Sequence, residues 1–490
     1  MWRSIYVYAW CLTLLSPGVL AQSQSQTQPL TIGSKLYTEN VLLGHLAAQS
    51  LEEAGYSTFH NEQLGGTRIL WNALLSGGID VYPDYTGTIT EEILAGQGIS
   101  SRQDMVTALS AVGVGVTGNI GFNNTYALGM RREQAEALGI ETISDLRAHT
   151  DLRFGFSNEF MERQDGWPGV RAEYGLAPLS VTGLDHALAY RGIASGNIDV
   201  LDLYSTDPEI AFYDLVALID DQQFFPDYDA VFLYRDTLSP AAAAALERFT
   251  GAIDETAMIA MNAAVKLDQR DDAMVAGDFM SSRFGVVSEP SSSGLWPRFV
   301  QNTLDHLTLV SISLGMAILV AIPMGVLAAK VRSLESVLLG ISSVLQTIPS
   351  LALLVLMIPL FGIGALPAIV AMFLYSLLPI VRNTHAGIRQ IPATVMESAW
   401  ALGLPNSLIL RRIELPMAIP SILSGIKISA VMNVGVATLG ALIGAGGYGQ
   451  PILTGIRLDN TALILEGAIP AAVLALLVQG FFDRVEKRIR

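Results

Sequence analysis

Glu397 to Pro416 reads ESAWALGLPNSLILRRIELP. It is a polar island in which Glu397, Arg411, Arg412 and Glu414 stand between apolar runs long enough to cross a bilayer. Met396 to Leu402 carries a helical apolar pattern. Gly403 suits the position just after a helix C-cap, where a positive φ is wanted, and Pro405 keeps that helix from continuing. A short helix, a glycine turn and a second helical segment are therefore expected, held at a membrane surface.

Working outward, five spans are expected, at roughly 304–328, 336–361, 366–384, 417–443 and 462–482. With the preceding half of the chain outside, Lys330, Arg332, Arg382, Arg389, Arg411 and Arg412 fall inside, together with Arg484, Lys487, Arg488 and Arg490. The outer loops hold little positive charge, chiefly Arg457 offset by Asp459. This arrangement satisfies the positive-inside rule. Pro349, Pro359, Pro379 and Pro420 sit inside or beside spans, where neighbouring helices can re-satisfy the backbone. Gln346, Asn433 and Glu466 are polar at membrane depth and are candidates for a path.

The spacing Glu397, Ala399, Gly403, Ile413-x-Leu415-Pro416 resembles the cytoplasmic "EAA" loop of permease subunits of bacterial ABC importers. The resemblance implies an all-α, five-span, MetI-like membrane domain over 299–490, with residues 390–416 docking into a separate ATPase. It also implies pairing with a second copy, since five spans make half of such a pathway. Two ATPase subunits would bind ATP, leaving this chain without a cofactor of its own.

Composition divides the 490 residues in two. Hydrophobic residues make up 51% and charged residues 15%, high and low for a soluble protein. Residues 291–490 carry 13 Lys/Arg against 8 Asp/Glu, so residues 1–290 hold -21 of the net -16. An acidic half joined to a mildly basic, apolar half argues against nucleic acid and for a multi-pass membrane protein with a large external domain. Residues 1–28 read as a signal sequence and spacer: Arg3, an apolar run from Ile5 to Leu15, then Val19-Leu20-Ala21. Cys11, the single cysteine, follows Trp10 and lacks a lipoprotein context, so no disulfide or thiolate metal site is expected. Residues 289–298 read as a linker.

Residues 29–288 read as an α/β domain of two lobes. Strand, helix, strand, helix and strand alternate from Thr31 to Tyr82, and a second alternating set begins near Phe154. Such alternation predicts parallel sheets with a ligand in the cleft between lobes.

Several motifs recur here: Gly33-Ser34-Lys35-x-x-Thr38-Glu39, Leu64-Gly65-Gly66-Thr67 and Asp80 to Thr88 (DVYPDYTGT). Arg163-x-Asp165-Gly166, Tyr204-Ser205-Thr206-Asp207 and Phe224-Phe225-Pro226-x-Tyr228 follow. Together they resemble type II periplasmic binding proteins for glycine betaine, choline and related osmoprotectants. The resemblance implies a tyrosine box around a trimethylammonium head, here Tyr85, Tyr126, Tyr204 and Tyr228. Lys35, Thr88 and Arg163 are the implied partners of a ligand carboxylate. A quaternary ammonium has no N–H to donate, whereas aromatic faces attract it with about 0.5–2 kcal/mol each.

No G-x-x-x-x-G-K-[ST] loop, HExxH or Ser/His/Asp arrangement occurs, so no catalytic residue is expected. His60, His186, His306 and His385 show no paired metal spacing. The expectation is a fused binding and permease subunit of an ABC importer for a quaternary-ammonium osmoprotectant, in the cell (inner) membrane. An importer of an amino acid or other cationic metabolite is the alternative cargo reading, and an osmolyte sensor the alternative class.

Overall fold

The computed structural model describes residues 29–286, 295–458 and 460–489. Residues 1–28, the expected signal sequence and spacer, residues 287–294, Asp459 and Arg490 lie outside the described residues.

Among the described residues ten strands build the N-terminal half: β1 (Leu30–Gly33), β2 (Thr58–Asn61), β3 (Val81–Tyr85), β4 (Val114–Val116), β5 (Tyr126–Arg131), β6 (Arg153–Ser157), β7 (Ser180–Leu184), β8 (Leu201–Tyr204), β9 (Leu215–Ala217) and β10 (Ala230–Arg235). Lobe one holds a sheet in the order β2-β1-β3-β10-β4. Lobe two holds β8-β5-β9 and the pair β6-β7, joined by a parallel bridge from Phe154 to Val200.

The sheets are mixed rather than parallel. β1 runs parallel to β2 and β3, but β10 is antiparallel to β3 and β4, and β5 is antiparallel to β8 and β9. The two strands that break the parallel pattern follow the crossings. β5 is the first strand after the chain leaves lobe one, and β10 is the first after it returns. An antiparallel bridge between Asn123 and Asp229 ties the two crossings together.

Helix Thr38–Glu53 packs across lobe one through Val41, Leu42, Leu43, Leu46 and Leu51, all fully buried. By the area rule each such side chain contributes about 1.5–3 kcal/mol. Helices Glu255–Lys266 and Asp272–Phe284 close over it, each capped at its N-terminus by an aspartate, Asp254 or Asp271.

In the apolar half, Leu295–Lys330, Ala365–Arg389, Asn406–Ile443 and Thr461–Ile489 are long and apolar enough to cross a membrane. The expected second span is not one straight helix. Arg332–Thr347 and Ser350–Phe361 meet at 99°, so a fifth crossing exists only if that bent pair is one span. Proline chemistry explains the break. Pro349 has no N–H to continue the ladder, and Ile348 before it is pushed to an extended ψ of 126°.

Asn433 does not face an open path. It accepts from Ser376 Oγ and donates to Ser313 Oγ, both at 3.1 Å, and so ties three helices together. Gln346 reaches the Met432 sulfur at 3.8 Å, and Glu466 faces Arg298 at 3.7 Å.

Candidate ligand-binding site

Between the lobes lies a cavity of about 660 Å³. All seven residues singled out from the sequence line it: Lys35, Tyr85, Thr88, Tyr126, Arg163, Tyr204 and Tyr228. Strand register brings the central two together, because Tyr126 on β5 pairs directly with Tyr204 on β8. Their ring centroids are 5.1 Å apart, and Tyr228 meets Tyr126 edge-on at 5.5 Å and 90°. Tyr228 is seated by Gly87, since a Cβ there would lie 2.6 Å from the Tyr228 ring. Its hydroxyl donates to Asp165 at 2.6 Å. Tyr85 stands apart from this ring cluster, and its hydroxyl donates to Glu39 at 2.6 Å.

The sequence reading missed a further aromatic wall. Tyr37 meets the Tyr204 ring at 5.4 Å and 70°, and its hydroxyl donates to Glu159. It occupies the second x of the Gly33-Ser34-Lys35-x-x-Thr38 motif. An aromatic just before the first helix of a ligand-binding lobe was the available signal. His186 was also undervalued: its ring lies 4.6 Å from that of Tyr204.

The charged groups are arranged in pairs. Lys35 Nζ donates to Asp84 at 2.6 Å and to Thr67 at 3.0 Å. Arg163 donates to Asp165 at 2.8 Å and to Glu92 at 3.0 Å, and it lies 5.6 Å from the Tyr126 ring centre. Glu39, in the first turn of helix Thr38–Glu53, accepts from Tyr85, Asn124, Thr206 and Asn262. Burial pushes its carboxyl above the usual range against those bonds. Burial pushes Glu159 the same way, but the charges of Lys35 and Arg163 and the bonds from Tyr37 and Thr67 hold it below the usual range. His186 donates to Asp207 at 3.0 Å. Against burial, Asp207 and Asp202 raise it to about 10, so it is a cation at neutral pH.

Several of these bonds cross the cleft. Thr67 of lobe one donates to Glu159 at 2.9 Å, and Arg163 of lobe two reaches Glu92. The lobes are therefore closed over the cavity.

Residues 28–282 match the family described as the substrate binding domain of ABC-type glycine betaine transport systems. The chain belongs to that family. Residues 321–490 match the binding-protein-dependent transport system inner membrane component, so this fused chain carries the binding and membrane parts of such an importer together. The osmoprotectant import permease protein OsmW of Salmonella typhimurium is 43% identical over 38% of this chain and 88% of its own length. The choline transport system permease protein OpuBB of Bacillus subtilis is 39% identical over 38% of this chain and 86% of its own. A solved glycine betaine/carnitine/choline ABC transporter structure is 29% identical, covers 52% of this chain and 98% of its own, and has a TM-score of 0.45.

In this fused binding and permease chain the cavity is not walled by the binding domain alone. Leu442, Leu453, Ile456 and Arg457 of the permease domain line it as well. Arg457, expected to be offset by Asp459, which lies outside the described residues, has partners in the binding domain. It is buried and reaches Asp272 of the binding domain at 2.8 and 3.0 Å and Thr38 Oγ1 at 3.2 Å. Gln63 donates to Thr454 at 2.9 Å beside it.

The fold also brings His45 and Glu62 to His60, with one candidate ligand atom from each lying within 4.8 Å of the others. The sequence reading had seen no such grouping around His60. His45 and Glu62 already pair at 3.1 Å, and burial and the His45 charge push His60 down to about 3.

At the opposite end, Glu397 and Ala399 lie on helix Ala393–Ala401, and Gly403 follows with φ +69°. Ile413 lies in the π-helical turn Leu410–Glu414, and Leu415 and Pro416 begin helix Leu415–Leu439. The second segment of the loop thus runs straight into a membrane helix. Buried Glu414 pairs with Lys330, at the end of the first long helix. Trp400 and Leu402 are 57% and 77% exposed on the loop, an apolar surface next to charged neighbours.

Proposed function

We propose that this chain captures a quaternary-ammonium osmoprotectant, glycine betaine, choline or a similar compound, in a tyrosine cage and passes it through a membrane path powered by ATP. The observation that carries the reading is the cluster of Tyr126, Tyr204 and Tyr228 in an enclosed cleft, with centroid separations of 5.1 and 5.5 Å. Aromatic faces are what a cation without N–H donors requires. The permease relatives, of an osmoprotectant and a choline transport system, point the same way.

In this reading two copies of the chain pair through their membrane domains. Two cytoplasmic ATPase subunits dock on the loops from Glu397 to Pro416, with Trp400 and Leu402 as their apolar contacts. The binding domain faces the periplasmic or external side of the inner membrane. Fusion keeps it at a high effective concentration over its own path. ATP is held by the partner subunits, and this chain needs no cofactor.

Titration calorimetry of the full chain in nanodiscs tests the cage. A trimethylammonium ligand is expected to bind and arginine is not. Tyr204→Leu is expected to weaken binding about tenfold, the worth of one desolvated aromatic face. Arginine binding in preference, or an unchanged affinity in Tyr204→Leu, sinks the reading.

A further inference from the structure

Glycine betaine and choline share a trimethylammonium head and differ at the far end, a carboxylate in one and a neutral hydroxyl in the other. A site that favours the carboxylate does so most strongly with an unpaired cation or free helix N–H groups. Six cationic side chains line the cavity. Each already has a carboxylate partner. Lys35 has Asp84 at 2.6 Å, Arg68 has Glu92 at 3.2 Å, and Arg163 has Asp165 and Glu92. His186 has Asp207 at 3.0 Å, Lys266 has Glu209 at 2.5 Å, and Arg457 has Asp272 at 2.8 Å.

The first turn of helix Thr38–Glu53 carries a carboxylate of its own. Glu39 stands in its first turn, and four donors from surrounding elements converge on that carboxylate. That carboxylate lines the same cavity as the tyrosines. A second anion sits against the aromatic wall: Glu159 accepts from Tyr37, whose ring packs on Tyr204, and it shares Arg163, at 3.6 Å, with Asp165 and Glu92. A carboxylate beside an aromatic cage attracts the ammonium head and repels any carboxylate carried with it. Like charges brought together in such a site cost several kcal/mol.

Resting on the cage reading, we propose that the cleft selects quaternary ammonium alcohols of the choline type over zwitterions that carry a carboxylate. Glu39 and Glu159 supply the discrimination, and the pairing of Lys35 and Arg163 removes the countercharge that a zwitterion would need.

The test is competition calorimetry on the full chain in nanodiscs with choline and glycine betaine. Choline is expected to bind at least about tenfold more tightly. In Glu159→Gln that gap narrows, chiefly through weaker choline binding. Asp84→Asn, which releases the Lys35 ammonium, is expected to favour glycine betaine relative to the wild type. Because the wild-type ratio is itself decisive, a variant that fails to fold does not remove the test. Glycine betaine binding as tightly as choline overturns this inference and leaves the cage standing. Binding of neither overturns the cage and this inference together.

Discussion

Arg457 of the permease domain and Asp272 of the binding domain form a bidentate ion pair, with both terminal guanidinium nitrogens within 3.0 Å of the two carboxylate oxygens. Both side chains are at least nine-tenths buried. Removing one member of such a pair strands the other charge in a low-dielectric setting, at about 3–5 kcal/mol. Arg457→Ala and Asp272→Ala are each expected to loosen the two halves, read as faster proteolysis between them and a lower Tm. The double variant should cost much less than the sum of the two singles. Additive losses would show that the pair does not act as a unit.

Gly87→Ala tests the seat of the cage. The new Cβ would lie 2.6 Å from two atoms of the Tyr228 ring and 3.0 Å from the Asp227 carbonyl oxygen. Overpacking of this kind costs about 1–3 kcal/mol. The ring must shift, so ligand affinity is expected to fall about tenfold or more while the far-ultraviolet circular dichroism is kept. Unchanged affinity would mean that the Tyr228 face contributes nothing.

His186 sets a pH dependence. Burial opposes its charge, but Asp207 and Asp202 outweigh burial and raise its pKa to about 10, against roughly 6.5 in the unfolded chain. Its folded-state pKa is raised, so its contribution is fully present below about pH 6.5 and is lost as pH rises through about 10. Thermal unfolding of the full chain should show falling stability across that window. In His186→Gln the same interval should be flatter, and equal slopes would remove His186 as the cause.

Gly403 tests the loop. Its φ is +69°, and a Cβ there would meet nothing within 4 Å, so substitution acts through backbone conformation alone. Gly403→Ala is expected to cost about 1 kcal/mol and Gly403→Asn less. In the proposed coupling role, uptake in cells with the partner ATPase falls in Gly403→Ala while ligand affinity is unchanged. A parallel fall in affinity would place the fault elsewhere.

Local patterning made much of this molecule legible. Strand β1, the helices from Thr38 and Thr67, and the turn at Gly403 follow from apolar periodicity and glycine placement over a few residues. Pro349 was visible, but a single proline does not reveal whether a long helix bends slightly or turns by 99°. What escaped was set by contacts between residues far apart in the chain. Nothing near Arg457 in sequence announces Asp272, 185 positions away. Nor does the Lys35 motif reveal that its ammonium is held by Asp84 and Thr67. Tyr37 was passed over because a motif marks positions, whereas ring contacts are decided by how two lobes meet.

Lobe one meets the permease domain through Gln63, which donates to Thr454, and through Thr38, Asp272 and Gln269, which accept from Arg457 and Asn460. With lobe one tied to the permease domain, opening the cleft without breaking these bonds requires the other jaw to move. In the proposed importer the receptor would then have no journey to make to its channel, because permease residues already form part of the wall of its cleft.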